Sequence, residues 1–253
     1  MSHTRIFRVA IDGPAASGKS TTAKLLAEKL GFGYIDSGAM YRAITFKCLR
    51  MGISPADPKN ATEIGKLAAA TTITFPNMTS VILDKKEDIS SEIRSSTITS
   101  NIGGVAANKK VREALAEMQR GLARGDYPET FEGRKGVTHH GKSIMGMVMD
   151  GRDIGTVILP DAELKVFLIA DSQIRAQRRY DEMVKRNKLE SGETVEKIKA
   201  ELEQRDHEDR TREVSPLKQA SDAVELDTSY LTIQQQVDAI EKLILDRMDH
   251  FQE

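Results

Sequence analysis

Eight residues constrain this chain more than any others. Gly13-Pro14-Ala15-Ala16-Ser17-Gly18-Lys19-Ser20 fits G-x-x-x-x-G-K-S, the phosphate-binding loop pattern. Its flanks matter as much as its letters. Ile6-Phe7-Arg8-Val9-Ala10-Ile11 stands before it, an apolar run of good β-formers and a predicted buried strand. Thr22, Leu25, Leu26 and Leu30 follow it at helical spacing. Strand, glycine loop and helix in that order let backbone N–H groups turn inward around a polyphosphate, aided by the positive end of the helix. Glycine at 13 and 18 permits torsions and approaches that a Cβ would block. The span from Gly13 through Pro14, Ala15, Ala16, Ser17, Gly18, Lys19 and Ser20 to Thr21 is therefore the expected triphosphate site. Lys19 is expected to reach the β- and γ-phosphates and Ser20 to hold Mg²⁺.

Bulk properties exclude several classes. A chain of 253 residues can bury a sizeable core, as one large domain or one domain with an insertion. Net charge is −1, so no overall basic field draws nucleic acid or membrane, and an anion site must be a local arginine cluster. Cys48 is the single cysteine, which rules out an intrachain disulfide and a cysteine metal cage; its apolar neighbours point to helix packing. The five histidines lack metal-ligand spacing. Met1-Ser2-His3-Thr4-Arg5 leads into the first strand without a signal-peptide pattern, and no apolar run approaches a membrane span, so a cytoplasmic enzyme is expected.

Along the chain, Gly31 to Gly38 reads as helix stop, short strand and turn, and Ala39 to Leu49 as a helix carrying Arg42. A helix over 61–70 precedes two short β-like runs, 71–75 and 80–83, which predict a hairpin around Pro76-Asn77. Gly103-Gly104 is expected to break the Ser/Thr-rich stretch before it. Asn108 is expected to cap a helix with Val111, Leu115, Met118 and Leu122 on one face and Arg112 near its start. Residues 61–124 read as a small inserted subdomain and 125–143 as a polar loop insertion. The core takes the rest, about 5–60 and 144–253.

Ile144 to Met149 predicts the next buried strand, which delivers Asp150-Gly151-Arg152-Asp153 at its carboxyl end, where open α/β sheets bind ligands. After a further strand, 164–170, a helix carries Arg175, Arg178 and Arg179; these form either a solvated basic face or a lid over the triphosphate. On the helix over 194–212, Arg205, Asp209 and Arg212 line one face and extend the apolar stripe of Ile198 and Leu202. Asp206, Arg210 and Glu213 form a neighbouring stripe, expected to hold ordinary i, i+4 ion pairs. Ala223 to Leu226 is a last strand, and Thr232 with Gln235 a capping box before the final helix. The alternation predicts a P-loop α/β fold, a doubly wound parallel sheet flanked by helices.

Taken together, Ile11-Asp12-Gly13-Pro14 with Gly18-Lys19-Ser20, Asp36-Ser37-Gly38-Ala39-Met40-Tyr41-Arg42, Val111-Arg112-Glu113-Ala114-Leu115, Asp150-Gly151-Arg152-Asp153-Ile154-Gly155-Thr156-Val157 and Arg205-Asp206 to Arg212 resemble the bacterial-type cytidylate kinase family. The likeness runs over nearly the whole chain in the family's motif order. It implies phosphoryl transfer from ATP to CMP or dCMP with Mg²⁺, a monophosphate-binding insertion over about 61–124 and a mobile helical lid over about 172–192. It implies that Ser37, Tyr41, Arg42, Gly103, Arg112, Arg152, Asp153, Arg205, Asp209 and Arg212 form the CMP pocket. Arg42, Arg152 and Arg212 are expected on the phosphate, since their forks bind it in pairs of hydrogen bonds. Asp153 is expected to accept from the cytosine amino group, with Arg112 across the ring and Asp209 and Arg205 at the sugar. Gly103 stands where the family often has a serine, which removes a hydroxyl contact to the base. The loop at 125–143 is longer than the family leads one to expect.

An acceptor that is already an anionic phosphate oxygen needs no strong general base, so positioning and charge neutralisation should suffice. Lys19, Arg152 and Asp150 are the expected catalytic residues, with Asp150 a candidate Mg²⁺ carboxylate and Arg175, Arg178 and Arg179 closing over ATP. A monomer acting on small molecules, without nucleic acid or membrane, is expected. The rivals are another small P-loop kinase and a nucleotide switch; for the latter, Asn187-Lys188-Leu189-Glu190 is the only near match to a guanine-reading motif, and it ends in the wrong acid.

Overall fold

The computed structural model describes residues 5–187, 189 and 192–251. Strand β1 (Phe7–Asp12) leads through the glycine loop into helix α1 (Lys19–Leu30), then strand β2 (Gly33–Asp36) and helix α2 (Ser37–Arg50). Helix α3 (Ala61–Ala69) precedes three two-residue strands, β3 (Ile73–Thr74), β4 (Ile82–Leu83) and β5 (Glu87–Asp88). Helices α4 (Ser96–Ala107) and α5 (Lys109–Arg124) follow, then β6 (Val137–His139), β7 (Lys142–Ile144) and β8 (Gly146–Gly151). The chain ends as β9 (Leu164–Ile169), α6 (Ser172–Lys185), α7 (Val195–Thr211), β10 (Val224–Asp227) and α8 (Ile233–Met248). The main sheet is five-stranded and parallel, in the order β10-β9-β1-β8-β2, with helices flanking it. Among the described residues no helix is long and apolar enough to cross a membrane. The expected lid range includes positions 188, 190 and 191, and the guanine-motif candidate includes 188 and 190; these lie outside the described residues.

The chain divides into two compact units, 9–26 with 150–251 and 5–8 with 27–149. In the first, β1 and β9 pair in parallel with Asp12 opposite Phe167. The apolar run predicted as a buried strand is covered on both faces: Val9, Ala10 and Ile11 are all fully buried. Alpha-helix α8 packs on β9 with Val237, Ile240 and Ile244 inward. Its capping box is complete, Thr232 Oγ1 accepting from Gln235 N–H and Gln235 Oε1 from Thr232 N–H.

In the second unit α2 packs on α4 and α3 on α5. The Asn108 carboxamide oxygen accepts from the Lys110 and Val111 amides, the cap the sequence predicts. Val111, Leu115 and Leu122 are buried on the face the spacing indicates. Cys48 is packed inside α2, and burial pushes its thiol up to about 11, so it is a packing residue and not a nucleophile at neutral pH.

Three expectations are corrected here. The hairpin of β3 and β4 carries a third antiparallel strand, β5, too short and too acidic to read as one. Gly103-Gly104 does not break the chain but lies inside α4. A Cβ on Gly104 would stand 1.9 Å from the Pro55 carbonyl oxygen, so glycine here allows the 55–56 turn to press on the helix. The 125–143 stretch is not a structureless loop. It forms a 3₁₀ turn at Pro128–Phe131 and the β6–β7 hairpin, and Gly136 N–H donates to Gly31 O at 3.1 Å. Its glycines and charges masked strands that are only three residues long.

The two glycines of α4 predict opposite outcomes. Around Gly103 a Cβ meets nothing within 4 Å, so Gly103→Ala should stabilise by about 0.5–1 kcal/mol through helix propensity alone. Gly104→Ala should cost about 1–3 kcal/mol through the clash with Pro55. Urea unfolding of both variants measures this, and equal signs would contradict the packing described.

Candidate active site

The glycine loop is held open by its own backbone and by groups from 150–251. Gly13 has φ 151°, and a Cβ there would meet the Leu168 carbonyl oxygen at 2.2 Å, so the loop leaves β1 where only glycine fits. Lys19 Nζ donates to Pro14 O at 2.7 Å, which folds the lysine back across the loop. Ser20 Oγ donates to Asp150 Oδ2 at 2.6 Å, bringing together two hard oxygen donors 130 positions apart in the sequence. Thr21 is exposed on the first turn of α1, and the Thr22 hydroxyl donates to Gln236 Oε1 on α8 at 2.7 Å.

The crown of the loop is braced from two helices. Ala15 N–H donates to Asp206 Oδ1 on α7, and Ala15 O accepts from Arg175 Nη1 on α6. Arg175 and Asp206 pair with each other at 2.6 Å, both almost completely buried. Asp206 is thus a loop support, in place of the surface ion pair expected for it; Arg210, its expected partner, is exposed. The i, i+4 spacing that suggested that pair says nothing of a partner 31 residues away. Arg178 donates to the Thr228 and Ser229 carbonyls, and Arg179 pairs with Glu182 at 3.0 Å.

Beyond the loop, one carboxylate organises two arginines. Asp209 Oδ2 accepts from Arg152 Nε at 2.8 Å and Asp209 Oδ1 from Arg212 Nη1 at 3.2 Å. Burial pushes Asp209 up, but the Arg152 and Arg212 charges outweigh it and hold the carboxyl below its usual range. Arg212 Nη2 also lies 3.9 Å from Asp153 Oδ1. Asp209 near the end of α7 and Arg212 at its C-cap, predicted on one face, thus meet Arg152 and Asp153 of the 150–153 turn. Lys19 feels the same crowd. Burial and then the Arg152 charge push its ammonium down to about 7, with Arg205 adding to the effect and Asp150 opposing it. Cations gathered this closely are a site shaped for an anion.

Asp12 is a site residue the motif reading passed over. It ends β1 at 4% exposure, and its two carboxylate oxygens accept from the Ile154 and Gly155 amides at 2.9 and 2.7 Å. Burial raises it to about 7, against the pull of those two amides. The signal was present: an acid closing a buried apolar run needs a partner inside.

The unit containing 27–149 carries the remaining candidates. Asp36 caps α2, Oδ1 accepting from Ala39 N–H at 2.9 Å, and its Oδ2 pairs with Arg42 Nη2 at 2.7 Å. That pairing presents Arg42 with its Nε buried and lacking a hydrogen-bond partner. Ser37 and Tyr41 are buried on the same helix. The Arg112 guanidinium lies 5.2 Å from the Tyr41 ring centroid and donates from Nη1 to Ala106 O at 3.0 Å. Gly103 lies on the exposed side of α4, lining an open cleft with Pro55, Pro58, Ile64 and Ala107.

Removal of Arg175 tests the brace. Arg175→Ala leaves Asp206 buried with its partner gone, which should cost about 3–5 kcal/mol. Urea unfolding reads this directly; a loss below about 1 kcal/mol, within the range of exposed pairs, would show that the pair is not a buried support.

Comparison with known proteins agrees with the geometry. The cytidylate kinase family model matches residues 9–142 and 137–246. Over 236 residues the chain is 46% identical to the cytidylate kinase of Chlorobaculum tepidum, covering 93% of this chain and 92% of that one. Over 244 residues it is 44% identical to the cytidylate kinase of Chloroherpeton thalassium, covering 96% and 95%. The enzyme of the same name from Pediococcus pentosaceus is 41% identical over 241 residues, covering 94% and 95%. With its phosphate loop, its Asp-Gly-Arg-Asp turn and its arginine-lined helix all inside the matched span, this chain belongs to the cytidylate kinase family.

Proposed function

We propose that the chain transfers the γ-phosphate of ATP to CMP and dCMP, giving ADP with CDP or dCDP. One observation carries the reading: Asp209 holds both Arg152 and Arg212, in the unit that also holds the phosphate loop. A nucleoside monophosphate brings a dianion that two neighbouring guanidiniums suit. Ser37, Tyr41, Arg42, Gly103, Arg112, Asp153 and Arg205 complete the acceptor site in this reading, with Asp153 accepting from the cytosine amino group.

In the transfer, an oxygen of the acceptor phosphate attacks the γ-phosphorus while the bond to the β–γ bridging oxygen breaks and ADP departs. The attacking oxygen is already anionic, so no side chain need remove a proton. Lys19 leaves its resting bond to Pro14 O and stabilises the transferring group, with loop N–H groups around the donor other than at Pro14, which has none, and Ala15, whose N–H is held by Asp206. Arg152 and Arg212 hold the acceptor and offset its charge, which would otherwise repel the donor. Ser20 and Asp150 form a hard oxygen pair suited to Mg²⁺. Bound there, Mg²⁺ would offset charge on the triphosphate. In this reading Arg178 and Arg179 leave the Thr228 and Ser229 carbonyls and Glu182 to meet ATP phosphates, while Arg175 braces the loop at Ala15.

A coupled assay of ADP release with CMP, dCMP, UMP, AMP or no acceptor tests the reading. Turnover should be highest with CMP and dCMP; release independent of acceptor would refute the kinase, and a preference for AMP would favour another small P-loop kinase. Arg152→Ala should lower kcat/KM for CMP by about 10²-fold or more, as loss of one charge-stabilising group does elsewhere. Exposed Arg210→Ala should leave it within about twofold. Comparable losses in the two variants would undo the assignment of the α7 face.

A further inference from the structure

Asp153 occupies the N-cap of the wide π-helical turn Ile154–Ile158. An aspartate in that position ordinarily folds its carboxylate onto the first amides of its own helix. Asp36 does so at α2 and Asp171 at α6, where its Oδ1 accepts from Gln173 N–H at 2.8 Å. Asp153 makes no such cap bond. The first two amides of its turn are taken by Asp12 instead, from the end of β1. The Asp153 carboxylate lies toward Arg212.

Asp12 is well built for this task. Its strand pairs with β9 up to and including Asp12 opposite Phe167. At the next residue, Gly13, a Cβ would stand 2.2 Å from Leu168 O, so only glycine lets the chain leave β1 so close to β9. A Cβ on Gly155 would also crowd Lys165 at 3.2 Å and Asp12 Oδ2 at 3.4 Å, so the turn sits down onto the carboxylate. Two short hydrogen bonds from a rigid strand fix the turn's start without help from Asp153.

We propose that Asp12 is a positioning residue for acceptor choice: by capping the 154–158 turn in place of Asp153, it keeps the Asp153 carboxylate turned toward the acceptor and available to a base amino group. This rests on the function proposed above, in which Asp153 reads cytosine. When Asp12 is lost, Asp153 turns back to cap its own helix, and the site stops distinguishing an amino group from a carbonyl on the base. Asp12 adjoins the loop through backbone that β1 already fixes, and its charge acts on Lys19 less than those of Arg152, Asp150 and Arg205 do, so ATP binding changes little.

The test uses Asp12→Ala and the more conservative Asp12→Asn, which keeps one acceptor oxygen but introduces a donor. In Asp12→Ala, KM for CMP should rise about tenfold, the CMP-over-UMP preference should fall toward parity, and KM for ATP should stay within about twofold, the scale of losing one base-edge contact. Asp12→Asn should fall between, and it carries the test if Asp12→Ala does not fold. A merely structural cap would lower kcat through loss of folded enzyme and leave both KM values and the base preference in place. A crystal structure of either folded variant without nucleotide supplies a readout free of activity. An Asp153 oxygen within hydrogen-bonding distance of the amide of residue 155 or 156 supports the proposal; Asp153 still beside Arg212 overturns it. Wild-type enzyme inactive on CMP would instead refute the function proposed above, while the crystallographic arm still decides the role of Asp12.

Discussion

Like charges repel, and the unit holding the phosphate loop gathers Lys19, Arg152, Arg205 and Arg212 near one another before any ligand arrives. Much of its local architecture follows from making that tolerable. Asp209 is placed between Arg152 and Arg212, Asp150 opposes the charge of Lys19, and Asp153 lies near Arg212. The carboxylates do not cancel the field: burial first, and then the Arg152 and Arg205 charges, hold the Lys19 ammonium below its usual range. A phosphate entering this site supplies charge that the protein withholds, and its binding energy comes partly from relief of repulsion already present. Preorganisation of this kind costs folding stability and is recovered only on binding.

The parts of this site that repeat a local pattern were legible in the sequence. The glycine loop could be read because strand, turn and helix each carry their own signal within twenty-five residues. The α7 face could be read because Arg205, Asp209 and Arg212 obey helical spacing next to Ile198 and Leu202. Asn108 and Thr232 announced their helices through cap chemistry that involves only neighbours. What escaped depends on partners far apart in the chain. Asp12 meets residues 142 and 143 positions away, and Asp206 meets an amide 191 positions away. No periodicity encodes such contacts.

The misread stretches fail for a different reason. At Gly103-Gly104 intrinsic propensity argued for a break, and tertiary packing overrode it because the helix must lie against the Pro55 carbonyl. At 125–143 glycines and charges argued for a loop, and the strands they flank are so short that hydrogen bonding, rather than burial, defines them. The acceptor-site assignments were legible only through motif resemblance. Single-sequence physics placed the arginines on faces but could not say which base they serve.

The grip of Arg175 and Asp206 on Ala15 has a consequence for how such a loop can drift through evolution. Both bonds end on main-chain atoms, the N–H and the carbonyl of residue 15. The Ala15 side chain itself packs against Ala176, Ile198 and Leu202, so a small residue that keeps its N–H preserves the attachment. A change at 175 or 206 removes it whatever letter the loop carries. The unspecified positions of a phosphate-loop pattern are therefore restrained here in backbone and in size. Here the restraint on them is written in two residues of distant helices, where a search of the loop itself would not find it.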